Sequence, residues 1–128
     1  MKKLSFAIIL MLLASCTTNR GLMTGNDKDA HGCIGSAGYT WSELLKTCIR
    51  TWEDGIRLNN TTDSTATTSA FAVFNGDSSK VEIFFPSITA QPILNKTASG
   101  TWNAKNFTLK KEGEKLGLYY KDQLVYKQ

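Results

Sequence analysis

The sequence predicts a mainly β fold: a small antiparallel β-barrel or meander, with one N-terminal α-helix pinned by a disulfide. Three observations carry this expectation. From Phe71 onward, short segments of alternating apolar and polar residues recur at close spacing with turn signals between them. Ahead of them, Trp41, Leu44, Leu45, Cys48, Ile49 and Trp52 fall on one stripe at helical spacing. Cys33 and Cys48 form an even pair once the first cysteine is set aside, and the chain opens with an export signal.

That opening reads MKKLSFAIILMLLASC. Two lysines precede an apolar run from Leu4 to Leu13, which is too short for a confident membrane span and suits a cleavable signal. Leu13-Ala14-Ser15-Cys16 matches the bacterial lipobox, so residues 1–15 are expected to be removed and Cys16 to carry a diacylglyceryl group. The acyl chains then hold the protein on the membrane, at about 0.8 kcal/mol per buried methylene. Thr17 is not the aspartate that resembles an inner-membrane retention signal, which points to the outer membrane. Lys2 and Lys3 account for half of the formal charge of +4, so the mature chain is only weakly basic and a nucleic-acid partner is not expected.

Residues 16–29 are polar, glycine-bearing and aperiodic, as in a tether. One globular domain, 30–128, should follow. Thr40 and Glu43 form a capping box and Asp54-Gly55 a stop, which sets a helix over 41–53. A Cys33–Cys48 bridge would then draw the loop GCIGSAGY across that helix. The segment from Asn59 to Ala70 is rich in Thr, Ser and Asn; its first half reads as a loop and its last part as strand, so the barrel is expected over about 66–127. Phe71-Ala72-Val73-Phe74 and Lys80 to Phe85 flank the turn Asn75-Gly76-Asp77, and Pro86 stops the second strand. Short strands begin at Pro92 and at Thr101. Phe107 to Lys110 alternates clearly, Glu112-Gly113-Glu114 is a turn, and Leu116 to Tyr126 makes a last hairpin around Lys121-Asp122.

Catalytic constellations are not apparent. His31, Cys33 and Ser36 lie close together, but Gly35-Ser36-Ala37-Gly38 is not the G-x-S-x-G elbow, and an oxidised Cys33 offers no thiolate. Metal binding is the weaker reading of the cysteines, because His31 is the only histidine and no zinc spacing results. Glu112 and Glu114 flank a turn glycine, as on a solvated tip rather than in a cleft. No phosphate-cradling loop is present, so neither an enzyme nor a cofactor is expected. Phe71, Phe74, Phe84, Phe85, Trp102, Phe107, Tyr119 and Tyr120 read as core and barrel-end packing; a glycan surface on Trp102 with Tyr119 or Tyr120 is the alternative.

The segment TASGTWNAKNFTLKKEGEKLGLYYKDQLVY, Thr97 to Tyr126, resembles the end of the membrane-bound inhibitors of c-type lysozyme. The shared features are a small-Ala-Ser-Gly segment after a strand, an aromatic strand, a basic-Gly-acidic turn and a closing hairpin. The resemblance implies an exported lipoprotein with a small β-barrel and a loop that plugs the lysozyme cleft. Ser99, followed by Gly100, stands where the family has its inserted serine. The family lysine before the turn glycine falls on Glu112, and Lys111 one residue earlier is the nearest cation, on the opposite face of a regular strand. The family's C-terminal cysteine is missing, and the Cys33 to Trp52 region has no counterpart. The expected function is inhibition of c-type lysozyme through Ser99, Gly100 and Lys111. The alternative is an envelope module that binds another envelope protein or a glycan without inhibiting.

Overall fold

The computed structural model describes residues 28–128 apart from 64 and 89. The expected signal segment, the expected lipid attachment at Cys16 and most of the expected tether lie outside the described residues. Lys28 and Asp29, expected in the tether, belong to the first turn instead. Lys28 forms a bridge with Ile34, and the Asp29 carboxylate accepts the backbone N–H groups of His31 and Cys33.

Eight antiparallel strands close into a barrel: β3 (Ile56–Asn60), β4 (Ser69–Phe74), β5 (Lys80–Phe84), β6 (Ile93–Lys96), β7 (Trp102–Ala104), β8 (Phe107–Glu112), β9 (Lys115–Tyr120) and β10 (Gln123–Lys127). Each strand pairs with the next in sequence, and β10 returns to β3. Closure removes the exposed strand edges that an open meander would leave. Period-two alternation fills the inside: Leu58, Ala70, Ala72, Val81, Ile83, Leu94, Trp102, Leu109, Leu116 and Leu118 form one buried cluster. The barrel begins at Ile56, ten residues ahead of the expected start near 66. β3 carries only two inward apolar residues, Ile56 and Leu58, between Asp54-Gly55 and Asn59-Asn60, so its alternation is short and masked by turn-type neighbours.

The expected helix over 41–53 does not form. In its place stand β1 (Thr40–Ser42) and β2 (Thr47–Ile49), paired as a hairpin, followed by one short helix, α1 (Thr51–Asp54). The reason is a contact forty residues away in sequence. Glu82 on β5 points out of the barrel, yet it is only 1% exposed because the hairpin lies over it. Its carboxylate accepts the Ser42 hydroxyl at 2.6 Å and the backbone N–H groups of Glu43 and Leu44 at 3.2 Å. Ser42 in turn accepts the Leu45 N–H, and Lys46 takes a left-handed φ of 54° to turn the chain back. A helix capped at Thr40 would commit the Glu43 N–H to the Thr40 hydroxyl and the Leu44 N–H to the Thr40 carbonyl, and leave Glu82 without these donors. Ile49 and Leu45 complete the seat against Val73, Phe84 and Phe71 on the barrel's outer face.

The disulfide joins Cys33 to Cys48, as the cysteine count implied, although Cys48 sits on β2 rather than on a helix. It ties the loop containing the 3-10 turn Gly35–Ala37 to the hairpin. Among the described residues, no helix is long and apolar enough to cross a membrane.

Candidate functional site

The up-and-down order gives the barrel two unlike ends. At one end lie the turns 75–79, 97–101 and 113–114, the start of β3 and the C-terminal Gln128. The other carries the loops 61–68 and 85–92 and the turns 105–106 and 121–122.

Ser99 is exposed on the turn between β6 and β7. Thr97 closes this turn, its N–H donating to the Thr101 carbonyl at 2.7 Å, and Gly100 donates back to the Thr97 carbonyl at 3.0 Å. Gly100 has φ of 82°, a left-handed backbone that a Cβ would strain, and open space surrounds it. The Ser99 hydroxyl lies 2.8 Å from that of Thr97 and 3.4 Å from that of Thr101. Three hydroxyls thus meet at a turn tip whose backbone is locally fixed.

Lys111 belongs to the same end. Its row on β8 runs Phe107, Leu109, Lys111, the inward-facing set, and the side chain lines a cavity of about 330 Å³ in the barrel mouth. Trp102, Phe74, Ile56 and Leu116 provide apolar walls, and Lys96, Ser78, Glu114 and Gln128 bring polar groups to the rim. Trp102 is held by its indole N–H donating to the Ser78 carbonyl at 2.8 Å and by an edge contact with Phe74. Lys96 Nζ lies 5.4 Å from the centre of the Trp102 ring. Among the described residues, neither Lys96 nor Lys111 makes an ion pair.

Glu112 takes no part in this mouth. It faces outward, where its carboxylate accepts the Tyr119 hydroxyl and pushes the Tyr119 pKa up, while Lys110 Nζ lies 4.1 Å over the Tyr119 ring. The carboxylate at the position of the family lysine is therefore turned away from the cavity, and the neighbouring lysine is turned into it. Trp102 was read as core or barrel-end packing, whereas Lys96 and Ser78 were not singled out in the sequence, although the alternation Leu94, Lys96 on β6 carried the signal for the first.

Among the described residues, those with nucleophilic or metal-ligating chemistry converge on no comparable arrangement. Cys33 is bonded to Cys48, and His31 stacks on Trp41 at 4.2 Å with its Nε2 3.9 Å from Glu43. Lys46, bonded to Glu43 at 2.7 Å, holds that carboxyl below its usual range. Among the described residues, no group of three or more His, Cys, Asp or Glu side chains is arranged to hold a metal ion.

Apart from the barrel ends, the disulfide-linked unit exposes Ile34, Tyr39 and Trp52, the last 57% accessible. The tip of the Trp52 ring abuts Gly38, where an added Cβ would come within 2.0 Å of it. Arg50 lies over the Tyr39 ring and donates to the Ala37 carbonyl. Comparison of the chain with protein-family models, curated proteins and solved structures returned no match.

Proposed function

We propose that this chain is a lipid-anchored protein of the bacterial envelope that inhibits c-type lysozyme by occlusion, without performing chemistry. The observation that carries the reading is the placement of Ser99 and Lys111 at one end of the barrel. The serine stands on a fixed, exposed turn, and the lysine is uncompensated by any ion pair among the described residues. A lysozyme cleft presents two carboxyl groups; a hydroxyl and a cation entering together would satisfy them and exclude the glycan substrate. The outward turn of Glu112 favours this reading, since it takes one of the two turn carboxylates away from the contact, while Glu114 stays on the rim.

The test is a muralytic assay with the mature chain. Full lysozyme rate at a large molar excess rejects the proposal. If inhibition is found, Ser99→Trp and Lys111→Glu should each raise the inhibition constant at least tenfold, about 1.4 kcal/mol, with far-UV circular dichroism unchanged. A second reading has its own support: Ile34, Tyr39 and Trp52 make an exposed apolar surface on the disulfide-linked unit, suited to an envelope protein or a glycan. Full lysozyme rate together with peptidoglycan or envelope-protein binding that is lost in Trp52→Ala would favour that surface.

A further inference from the structure

We infer that the barrel end opposite Ser99 rests on the lipid surface that holds the chain's N-terminus, so that the Ser99 end points into solution; this rests on the lipid anchor at Cys16. The two ends differ in kind. Around the Ser99 end stand Lys80, Lys96, Lys111 and Lys115 with Asp77, Glu112 and Glu114. The opposite end carries both exposed large apolar side chains of the barrel, Ile88 at 47% and Tyr120 at 38%. Beside them opens an apolar hollow of about 320 Å³ walled by Phe85, Pro86, Phe107, Val125 and Tyr126. Phe107 links Phe85 and Tyr120 by ring contacts of 5.4 and 5.0 Å, so the hollow is floored by rings already packed on one another.

Ile88 is held in place by one side chain. Gln91 accepts the Phe85 N–H through Oε1 at 2.8 Å, and its Nε2 donates to the Ile88 carbonyl at 2.6 Å. The backbone at Phe85 and Ile88 is thereby tied to one side chain, which lowers the cost of presenting Ile88 on contact.

The position of the chain's entry selects the occupant. Asp29 and His31 share a cavity with Ala90 and Gln91, at the foot of that same loop. Eleven residues separate Cys16 from Lys28, a reach of at most ~43 Å at 3.3–3.6 Å per residue. The described chain begins beside the 85–92 loop, so the Ile88 end lies nearer the point of attachment than the Ser99 end does. Tyr120 and the exposed Lys105 and Lys121 suit the headgroup layer, with apolar bodies and polar tips. Asp63 and Asp122 at this end offset the two lysines, so the contact is apolar first and responds little to salt.

The experiment uses the mature chain in vesicles of phosphatidylethanolamine with a minority of phosphatidylglycerol. An environment-sensitive NBD label is placed at Asn106→Cys, which keeps Ile88 intact, or at Ser99→Cys. Doxyl-labelled lipid should quench the label at 106 several-fold more strongly than the label at 99. Ile88→Asp in the Asn106→Cys background should bring the two to the same level. Mass spectrometry reports acylation of Cys16 separately. A parallel arm holds a Cys16→Ser chain by an N-terminal hexahistidine tag on nickel-chelating lipid, and the same contrast is expected there. An unmodified Cys16 together with the contrast in the tagged arm would reject the natural anchor while upholding the surface. Equal quenching at 106 and 99 in the tagged arm, or stronger quenching at 99, would overturn the inference.

Discussion

Replacing Glu82 by alanine should detach the hairpin from the barrel. The carboxylate accepts three hydrogen bonds, from the Ser42 hydroxyl and from the N–H groups of Glu43 and Leu44, at a site 1% exposed. Truncation leaves those donors without their acceptor, beside a cavity that Glu82 and Glu43 line. Hydrogen bonds to a charged group contribute about 1.5–3 kcal/mol each, but their deletions do not add, and truncation also removes a buried carboxylate whose partners are all neutral, which offsets part of the loss. A loss of about 2–4 kcal/mol is therefore expected, a large fraction of the stability of a domain this size. Urea unfolding followed by tryptophan fluorescence measures it, and hydrogen exchange of the Glu43 and Leu44 amides locates it. Glu82→Gln retains one acceptor and should lose about half as much. Ser42→Ala combined with Glu82→Ala should cost less than the sum of the two single changes, because both remove the same bond. A Glu82→Ala protein within about 1 kcal/mol of the parent, with the amides of 43 and 44 still protected, would refute the account of why this segment is a hairpin.

Three further outcomes follow from other contacts. Removing the Cys33–Cys48 bridge by double alanine substitution frees a loop with a sequence separation of 15 and should cost about 3 kcal/mol, read as a lowered Tm under identical buffer conditions. Gly38→Ala sets a Cβ against the Trp52 ring at a φ of 84°, so a loss of about 1–3 kcal/mol with a shift in tryptophan emission is expected; unchanged emission would mean that Trp52 does not lie against Gly38. In a spectrophotometric titration Tyr119 should ionise above the ordinary tyrosine range near 10, since the Glu112 carboxylate accepts its hydroxyl. Because the folded-state pKa is raised, the stability from this contact is full below the unfolded value and is lost as pH climbs through the folded one. Glu112→Ala should return Tyr119 to the ordinary range.

The barrel was legible because its signals are local. Val81, Ile83 and Phe85 alternate within one segment, Asn75-Gly76-Asp77 and Lys121-Asp122 mark the turns, and Pro86 stops β5 where expected. The segment from Thr40 to Trp52 was not legible in the same way. Its apolar stripe fits a helix in isolation, and what overrides it is the need of Glu82 for donors, a demand with no trace in residues 40–52. The site shows both cases. The glycine after Ser99 announced the turn that exposes the serine, whereas the inward direction of Lys111 depended on the register of β8 against β9, in which Lys111 faces Leu116 and Glu112 faces Lys115. A one-residue slip would exchange the two, and sequence alone does not fix register to that precision.

The seam between β10 and β3 bears on how the chain folds. Only Asn60 with Tyr126 and Asn59 with Lys127 are paired across it, reinforced by the Thr61 hydroxyl reaching the Leu124 carbonyl across a sequence separation of 63. Every other pairing in the barrel joins neighbours in sequence and can form as the chain lengthens; this one waits for β10. Until then β3 has an open flank, and the segment Gln123–Lys127 acts as the latch that ends that exposure. Losing that segment would leave the unpaired edges of β3 and β9 open to strands from other copies of the chain, so the C-terminus governs solubility as well as closure.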